Sequence, residues 1–410
     1  MEEKIMTFTR LLATAALIGL AAANPTLADD APVTLTWQMW GTDSNKPVLQ
    51  EMADLVHKEY PNITVNVQIS GWTDYWTKLP IQASSGQLAD IVSMTSSRVP
   101  NFYTILEPLD AHFATDGFDT SVFEPSILAA LSFDKTVYSL PYDVGPWLIY
   151  YNKDKFAKAG VPEPKPGWTM ADLRATAKAL TGDGSYGYSI QLADFITLPR
   201  ALGAEYVTDD GQFDLLNAAN VKAVTELVDM ASKDHSTTPI SAGGGGQEGR
   251  GAFTSGGGAM FSDGPWSLID LSKEVTFKLG VTSLPRGEGP LRAITAGSGF
   301  GVSAASPNKE AAYKALQVLT GAKVAEILGR TGRALPARIA QQHFWIEVAA
   351  KDVAGAREAL EYSFANTIQY KVTSNWTEFE NQFSQNIPLA ANGDVTPEEM
   401  LRTVQELVQQ

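Results

Sequence analysis

The residues of this 410-residue chain best suited to chemistry are its aromatics and one arginine. There are nine tryptophans and thirteen tyrosines. Trp40, Trp72, Trp266 and Trp376 fall at expected strand ends or in polar loops, outside the apolar runs. A sugar ring has an apolar face of C–H groups and a rim of hydroxyls, so an indole plane flanked by charged or amide groups complements it. Trp37 and Trp147 lie inside expected strands and read as core. Arg98 closes the run Thr95-Ser96-Ser97-Arg98. Its planar fork can hold two hydroxyls or a carboxylate at once. A positive charge at a helix start also works against the helix dipole, which favours a ligand role over a solvated one.

Other chemistries lack their residues. Gly182 to Gly187 and Gly244 to Gly249 both match G-x-G-x-x-G. The first follows a helical pattern and precedes a strand, the reverse of what phosphate binding at a helix start requires. The second lies in a glycine tract with no strand before it. Gly249 is followed by Arg250 and Gly251, so there is no G-x-x-x-x-G-K-[ST] loop and any ATP hydrolysis belongs to other chains. The four histidines, His57, His112, His235 and His343, are scattered without an H-E-x-x-H motif. The nearest approach to a serine-hydrolase elbow, Met260 to Gly264, has methionine where a glycine must permit the turn. No catalytic set, metal site or cofactor site is read from these residues. A pair of glycosidase carboxylates stays open, since their separation is spatial.

Composition narrows the setting. Hydrophobic residues make up 44% and charged residues 19%, ordinary for a globular chain with length for two or three domains. A net charge of −15 works against nucleic acid and anionic membrane surfaces, and it also serves solubility. Lys4, Arg10, the apolar run Leu11 to Ala23 and Thr26-Leu27-Ala28 read as a secretory leader, residues 1–28, cut before Asp29. The leader holds two acids and two bases, so the mature charge stays at −15. No later apolar run reaches membrane-spanning length. With no cysteine there is neither a disulfide framework nor a thiol to carry a lipid. The expectation is a freely diffusing protein of a Gram-negative periplasm.

The segments that must position these residues alternate. Val33, Leu35, Trp37 and Met39 share one face of a strand that stops at Trp40-Gly41-Thr42-Asp43-Ser44. Pro47 then opens a helix with Val48, Leu49, Met52, Leu55 and Val56 at helical spacing. Ile63, Val65, Val67 and Ile69 make a second strand ending at Ser70-Gly71-Trp72. A polar helix runs to about Ser85, and Asp90 to Met94 is a third strand. This β-α-β-α-β order predicts a parallel sheet with right-handed crossovers. Ligands of such sheets sit beyond the carboxyl ends of the strands, here Gly41-Thr42-Asp43, Gly71-Trp72 and Thr95 to Arg98.

A second α/β set follows. It has a helix from Trp168-Thr169 to about Leu180, a strand Tyr186 to Gln191, and helices around Phe195–Gly203 and Val221–Ser232. A short strand Ala259 to Phe261 ends at Ser262-Asp263-Gly264-Pro265-Trp266. Between the two sets lies Ser139 to Asn152, where Pro141, Gly145 and Pro146 precede the apolar run Trp147 to Tyr151. Prolines fix φ and the glycine loosens it, which suits a crossover between two lobes. Ile294 to Ala304, containing Gly297-Ser298-Gly299-Phe300-Gly301, reads as a second crossover, and a third is expected near Val348 to Ala354. Pro307 starts a helix. Thr396, Pro397 and Glu399 form a capping box for the last one.

Tyr151-Asn152-Lys153-Asp154 resembles the signature of maltose-binding-protein-like periplasmic sugar-binding proteins of ABC importers. Further landmarks of that family occur in order: Trp40-Gly41, Met260 with Gly264-Pro265-Trp266, Ala305 to Glu310, and Leu335-Pro336-Ala337-Arg338. The resemblance covers nearly the whole mature chain. It implies a two-lobed α/β periplasmic-binding-protein fold of type II, each lobe a mixed sheet flanked by helices, with a multi-strand hinge. One lobe would hold residues 29–143 plus about 299–350, the other 144–298 plus about 351–410. It further implies capture of a mono- or oligosaccharide and delivery to ABC permease membrane subunits driven by a separate ATPase. No bond is broken, no cofactor is needed, and a monomer is expected.

Carried over by position, Thr42, Asp43, Ser97, Arg98, Gly264, Trp266 and Trp376 are expected at the ligand, and Gln191 with Asp194 in a loop the family often uses. Tyr142 on the first crossover, Ser298 and Gly299 on the second, and Arg333 complete the set. The family's maltodextrin binders carry acidic and lysine residues where this chain has Thr42 and Asp43. They have an aspartate at Ser97 and an aromatic at Met94. Fewer carboxylates and one fewer ring favour a mono- or disaccharide, and a less neutralised Arg98 admits an anionic sugar derivative. The alternatives are a secreted carbohydrate-active lyase or hydrolase, which would show turnover, and a sensor or adhesive module, which would show a partner domain, tether or repeat.

Overall fold

The structure, a computed structural model, describes residues 31–240, 248–368 and 371–409. The expected leader and part of the glycine tract lie outside the described residues. β1 (Val33–Trp40), α1 (Lys46–Glu59), β2 (Ile63–Ser70), α2 (Trp72–Ser84) and β3 (Ile91–Thr95) follow the expected order. β1 pairs in parallel with β2 from Val33–Ile63 to Trp40–Ser70, and with β3 on its other side. Because all three strands run one way, Trp40, Ser70 and Thr95 finish at a single edge of the sheet.

Short helices α3 (Val99–Phe102), α4 (Asp110–Asp116) and α5 (Pro125–Ala130) and a hairpin of β4 (Ser132–Phe133) with β5 (Thr136–Val137) lead to β6 (Leu140–Pro146). β7 (Leu148–Asn152) follows after Trp147 alone, yet it belongs to a different sheet. Asn152 ends β7 and caps α6 (Lys153–Ala159): its side-chain oxygen accepts the N–H groups of Asp154 and Lys155 at 3.0 and 3.1 Å. The Tyr-Asn-Lys-Asp signature is therefore a strand-to-helix cap. α7 (Met170–Ala179) opens on a capping box of Thr169 and Asp172. The strand expected at Tyr186 to Gln191 does not form. Its residues bridge two segments alternately, Gly258 and Phe261 on one and Thr237 on the other, so no continuous ladder develops.

α8 (Asp194–Ala201), α9 (Ala218–Ser232), α10 (Glu248–Thr254), β8 (Met260–Asp263), α11 (Leu268–Glu274) and β9 (Leu279–Ser283) complete the second body. β7 is the middle strand of β8–β7–β9 and antiparallel to both neighbours. Leu148 and Tyr150 pack in one core cluster and Ile149 and Tyr151 in another. A strand covered on both faces needs a continuous apolar run, and β7 has one.

β10 (Ala293–Val302) returns to the first sheet, antiparallel to β3 and β6, and pairs at its start with β11 (Thr367–Ile368). The helices α12 (Lys309–Leu319), α13 (Ala322–Thr331), α14 (Gln342–Asp352), α15 (Ala356–Phe364), α16 (Trp376–Ala391) and α17 (Pro397–Val408) close the chain. Thr396 and Glu399 cap α17 reciprocally at 2.8 and 3.2 Å. The first core draws on Leu35 to Val144, Phe300 to Ala334, and Ala337, while Leu335 joins the third. The other two begin at Leu148 and take up Ala293, Trp345 and all later buried helices. Buried residues pass from the first core to the other two between Val144 and Leu148, and back between Ala293 and Phe300; near the expected third crossover at Val348 to Ala354 they have already left the first core, Leu335 and Trp345 both lying in the third. No helix among the described residues is long and apolar enough to cross a membrane.

Candidate ligand-binding site

The strand ends of the first body meet at an aromatic cluster. Trp40 ends β1, and Trp72, Tyr75 and Trp76 lie on one face of α2 at helical spacing. The Trp40 ring lies 5.3 Å from Trp72, 5.2 Å from Tyr75 and 5.6 Å from Trp76. The Tyr75 hydroxyl donates to the Ser93 carbonyl at 2.6 Å, which fixes the helix on the sheet. Trp76 is buried, whereas Trp72 is 47% exposed. Beyond β3, the Arg98 guanidinium lies 4.6 Å over the Trp76 ring. Ser97 is half-buried beside it, its hydroxyl 3.5 Å from that of Thr95. Thr42 and Asp43 are exposed on the turn after β1. The Thr42 N–H donates to Asn45, and Asp43 pairs with Lys46 at 2.7 Å, which holds its carboxyl below the usual range.

Between the bodies, β6 and β10 cross side by side. Their register shifts at Ser298/Gly299, and the Ser298 N–H donates to the Asp143 carboxylate at 2.6 Å. Burial pushes the Asp143 carboxyl up to about 7, against the pull of the Arg333 charge and the Ser298 N–H. The chain after α13 runs beside β6, with Val144 N–H on the Leu335 carbonyl and Ala337 N–H on the Tyr142 carbonyl, both at 3.1 Å. This brings Arg333 to the seam, half-buried, its Nε buried without a hydrogen-bond partner among the described residues. Tyr142, expected at the ligand, is 4% exposed and stacked on Phe300 at 4.6 Å, as part of the first core. Gly299 is a packing position: a Cβ there would meet the Leu131 side chain and the Leu140 carbonyl at 2.7 Å.

In the second body the end of β8 carries the aromatic. Asp263 accepts from the Gly264 N–H at 2.7 Å, the Trp266 indole N–H at 2.8 Å and the Ser267 hydroxyl at 2.6 Å. The indole is folded back over Gly264, where a Cβ would come within 2.2 Å of its ring. Trp147 meets Trp266 edge-on at 5.6 Å. Read from the sequence as core, Trp147 is only half-buried, because it occupies the gap between β6 and β7 and belongs to neither sheet. Its position directly after Pro146 at the crossover was the available signal.

Gln191 and Asp194 support this loop from beneath. Gln191 donates to the Ser262 carbonyl at 2.7 Å. Asp194 accepts from the Tyr188 hydroxyl at 2.7 Å, the Gln191 N–H at 2.8 Å and the Ser262 hydroxyl. Asp194 is fully buried and burial pushes its carboxyl up to about 7, so its oxygens hold β8 in place and present nothing outward. Trp376 is corrected most clearly. It is 0% exposed in the second core, packed on Phe379 and Phe213 with Arg200 over its ring at 4.9 Å, and offers no face for stacking.

Its indole N–H instead donates to Glu380 at 3.0 Å, and the other Glu380 oxygen lies 3.9 Å from Arg98. Sequence reading passed over Glu380, since nothing local links it to residue 98. The expectation of a less neutralised Arg98 is therefore corrected: a carboxylate on α16 stands 3.9 Å from it. Asn101, one turn after Arg98, likewise donates across the seam to the Ser374 carbonyl.

The profile of bacterial extracellular solute-binding proteins matches residues 42–326, and the chain belongs to this family. It is 26% identical over 296 residues to the lactose-binding protein of Rhizobium radiobacter, covering 68% of each chain. It is 27% identical over 333 residues, 72% of each, to the sn-glycerol-3-phosphate-binding periplasmic protein of Brucella suis biovar 1 (strain 1330). Among solved structures, an ABC substrate-binding protein from Listeria monocytogenes in complex with cycloalternan superposes with a TM-score of 0.83 at 24% identity, over 92% of this chain and 98% of that one. That likeness establishes the two-lobed periplasmic-binding-protein fold. The family is one of exported substrate-binding components.

Proposed function

We propose that the protein captures a mono- or oligosaccharide in the seam between its two bodies and delivers it to the permease of an ABC importer. The observation that carries this reading is that each body carries an indole pair beside its strand ends, Trp40 with Trp72 at 5.3 Å in the first and Trp147 with Trp266 at 5.6 Å in the second. Flat apolar faces with Ser97, Arg98 and Arg333 nearby suit a ring with a C–H face and a hydroxyl rim. The lobes in this reading are residues 29–143 with about 299–338, and 144–298 with the remainder. Ligand contacts made to both lobes at once supply the free energy of closure. A micromolar dissociation constant, about 8 kcal/mol, needs only stacking and a handful of charge-assisted hydrogen bonds.

The protein acts as a monomer without chemical turnover, its ATPase a separate subunit, free in a Gram-negative periplasm. The lactose-binding relative supports a sugar ligand. Mass spectrometry of material purified under non-denaturing conditions is expected to find a retained saccharide. Trp266→Ala is expected to weaken its binding at least tenfold in calorimetry with little change in melting temperature; unchanged affinity removes Trp266 from the site. Turnover of an oligosaccharide panel by the wild type would instead favour a secreted carbohydrate-active enzyme.

A further inference from the structure

Membership of the family does not decide whether the ligand is charged, since similar proteins are named for lactose and for sn-glycerol 3-phosphate. The seam itself bears on the question. Arg98 lies beyond β3 with its guanidinium 4.6 Å over the Trp76 ring. Glu380 of α16 reaches it from the other body at 3.9 Å, and the two side chains are only 20% and 25% exposed. The carboxylate is not a loose surface group. One oxygen is fixed at 3.0 Å by the indole N–H of Trp376, one helical turn earlier, and that indole is itself sealed in the core.

Resting on the carbohydrate reading above, we infer that the Arg98–Glu380 pair makes the seam selective for neutral polyhydroxy ligands and rejects their phosphorylated or carboxylated derivatives, with Glu380 the specificity-determining residue. A hydroxyl both donates and accepts, so one sugar rim can take an N–H from Arg98 and give a proton to Glu380 without breaking either group's solvation balance. An anionic substituent drawn to Arg98 comes to lie beside a fixed carboxylate in a partly desolvated site, where like charges repel strongly. Moving Glu380 aside would break its bond to Trp376 and leave a buried charge unpaired.

The test is calorimetric titration of the full exported chain against a neutral panel (glucose, galactose, lactose, maltose) and an anionic panel (glucose 6-phosphate, galacturonate, sn-glycerol 3-phosphate). The wild type is expected to bind a neutral sugar at least tenfold tighter than its charged counterpart. E380Q, which keeps the shape and one acceptor for Trp376, is expected to narrow that ratio at least fivefold. Equal or tighter wild-type binding of the charged counterpart overturns the inference while leaving the carbohydrate reading intact, and this arm needs no variant. A folded E380Q protein with an unchanged ratio also overturns it. Binding of neither panel, nor of longer oligosaccharides, overturns the carbohydrate reading itself and this inference with it.

Discussion

At the residue scale the site depends on side chains that are held by others. Trp266 lies where it does because Gly264 has no Cβ, and the Gly264 backbone, at φ −86°, is one any residue could adopt. Gly264→Ala therefore acts by collision alone. It is expected to displace the indole and weaken ligand binding about as much as Trp266→Ala, read by titration and by a change in tryptophan fluorescence. The buried acids predict a pH dependence. The Asp143 carboxyl is raised from the ordinary 3.8 to about 7 in the folded protein, so between those values the folded state binds more protons than the unfolded one. Stability then falls as pH rises through that window, and the loss is complete above about 7. Asp194 adds a contribution of the same sign. Acids held low, such as Asp90, act below 3.8 and do not oppose it there. The melting temperature is expected to drop between about pH 5 and 7.5, and less steeply in Asp143→Asn; a flat wild-type profile would contradict this.

At the scale of elements, the signature motifs turn out to be caps, turns and close approaches. Asn152 anchors the start of α6 through two N–H groups, and Asn152→Ala is expected to cost about 1 kcal/mol of stability in denaturant unfolding while leaving ligand affinity unchanged. Gly145 is different, because a Cβ there would stand 2.1 Å from the Pro265 ring on the loop that carries Trp266. Gly145→Ala is expected to push that loop from β6 and weaken binding as well as stability, which the same two measurements separate from the effect at Asn152. The glycines of the first G-x-G-x-x-G match also find a physical reason. Gly182 and Ser185 exchange backbone hydrogen bonds across a tight turn, Gly184 has φ +75°, and Gly187 packs where a Cβ would strike the Ala177 carbonyl. The strand misread at Tyr186 to Gln191 has the right alternation, but its partners belong to two segments, which no local pattern reveals.

For the whole molecule, the buried residues form three separate cores, and in the proposed reading the chain passes repeatedly between the first and the other two. That arrangement predicts a hinge motion. Small-angle scattering is expected to show a smaller radius of gyration once a bound sugar is added to ligand-stripped protein. An unchanged radius with tight binding would mean that the seam is already closed, or that the ligand sits on one body alone.

The sequence by itself determined whatever depends on neighbours a few residues apart. The βαβαβ unit, the caps at Thr169 and Thr396, the apolar run of β7 and the strand ends bearing Trp40, Trp72 and Arg98 all follow from periodicity and local hydrogen bonding. Only the tertiary structure decided which aromatics are sealed and which are open. Trp376, expected open, is sealed, and Trp147, expected sealed, is half-buried, because burial depends on what packs from elsewhere in the chain. It alone brought Glu380 to Arg98, since charge pairing acts through space and leaves no spacing in the sequence to read.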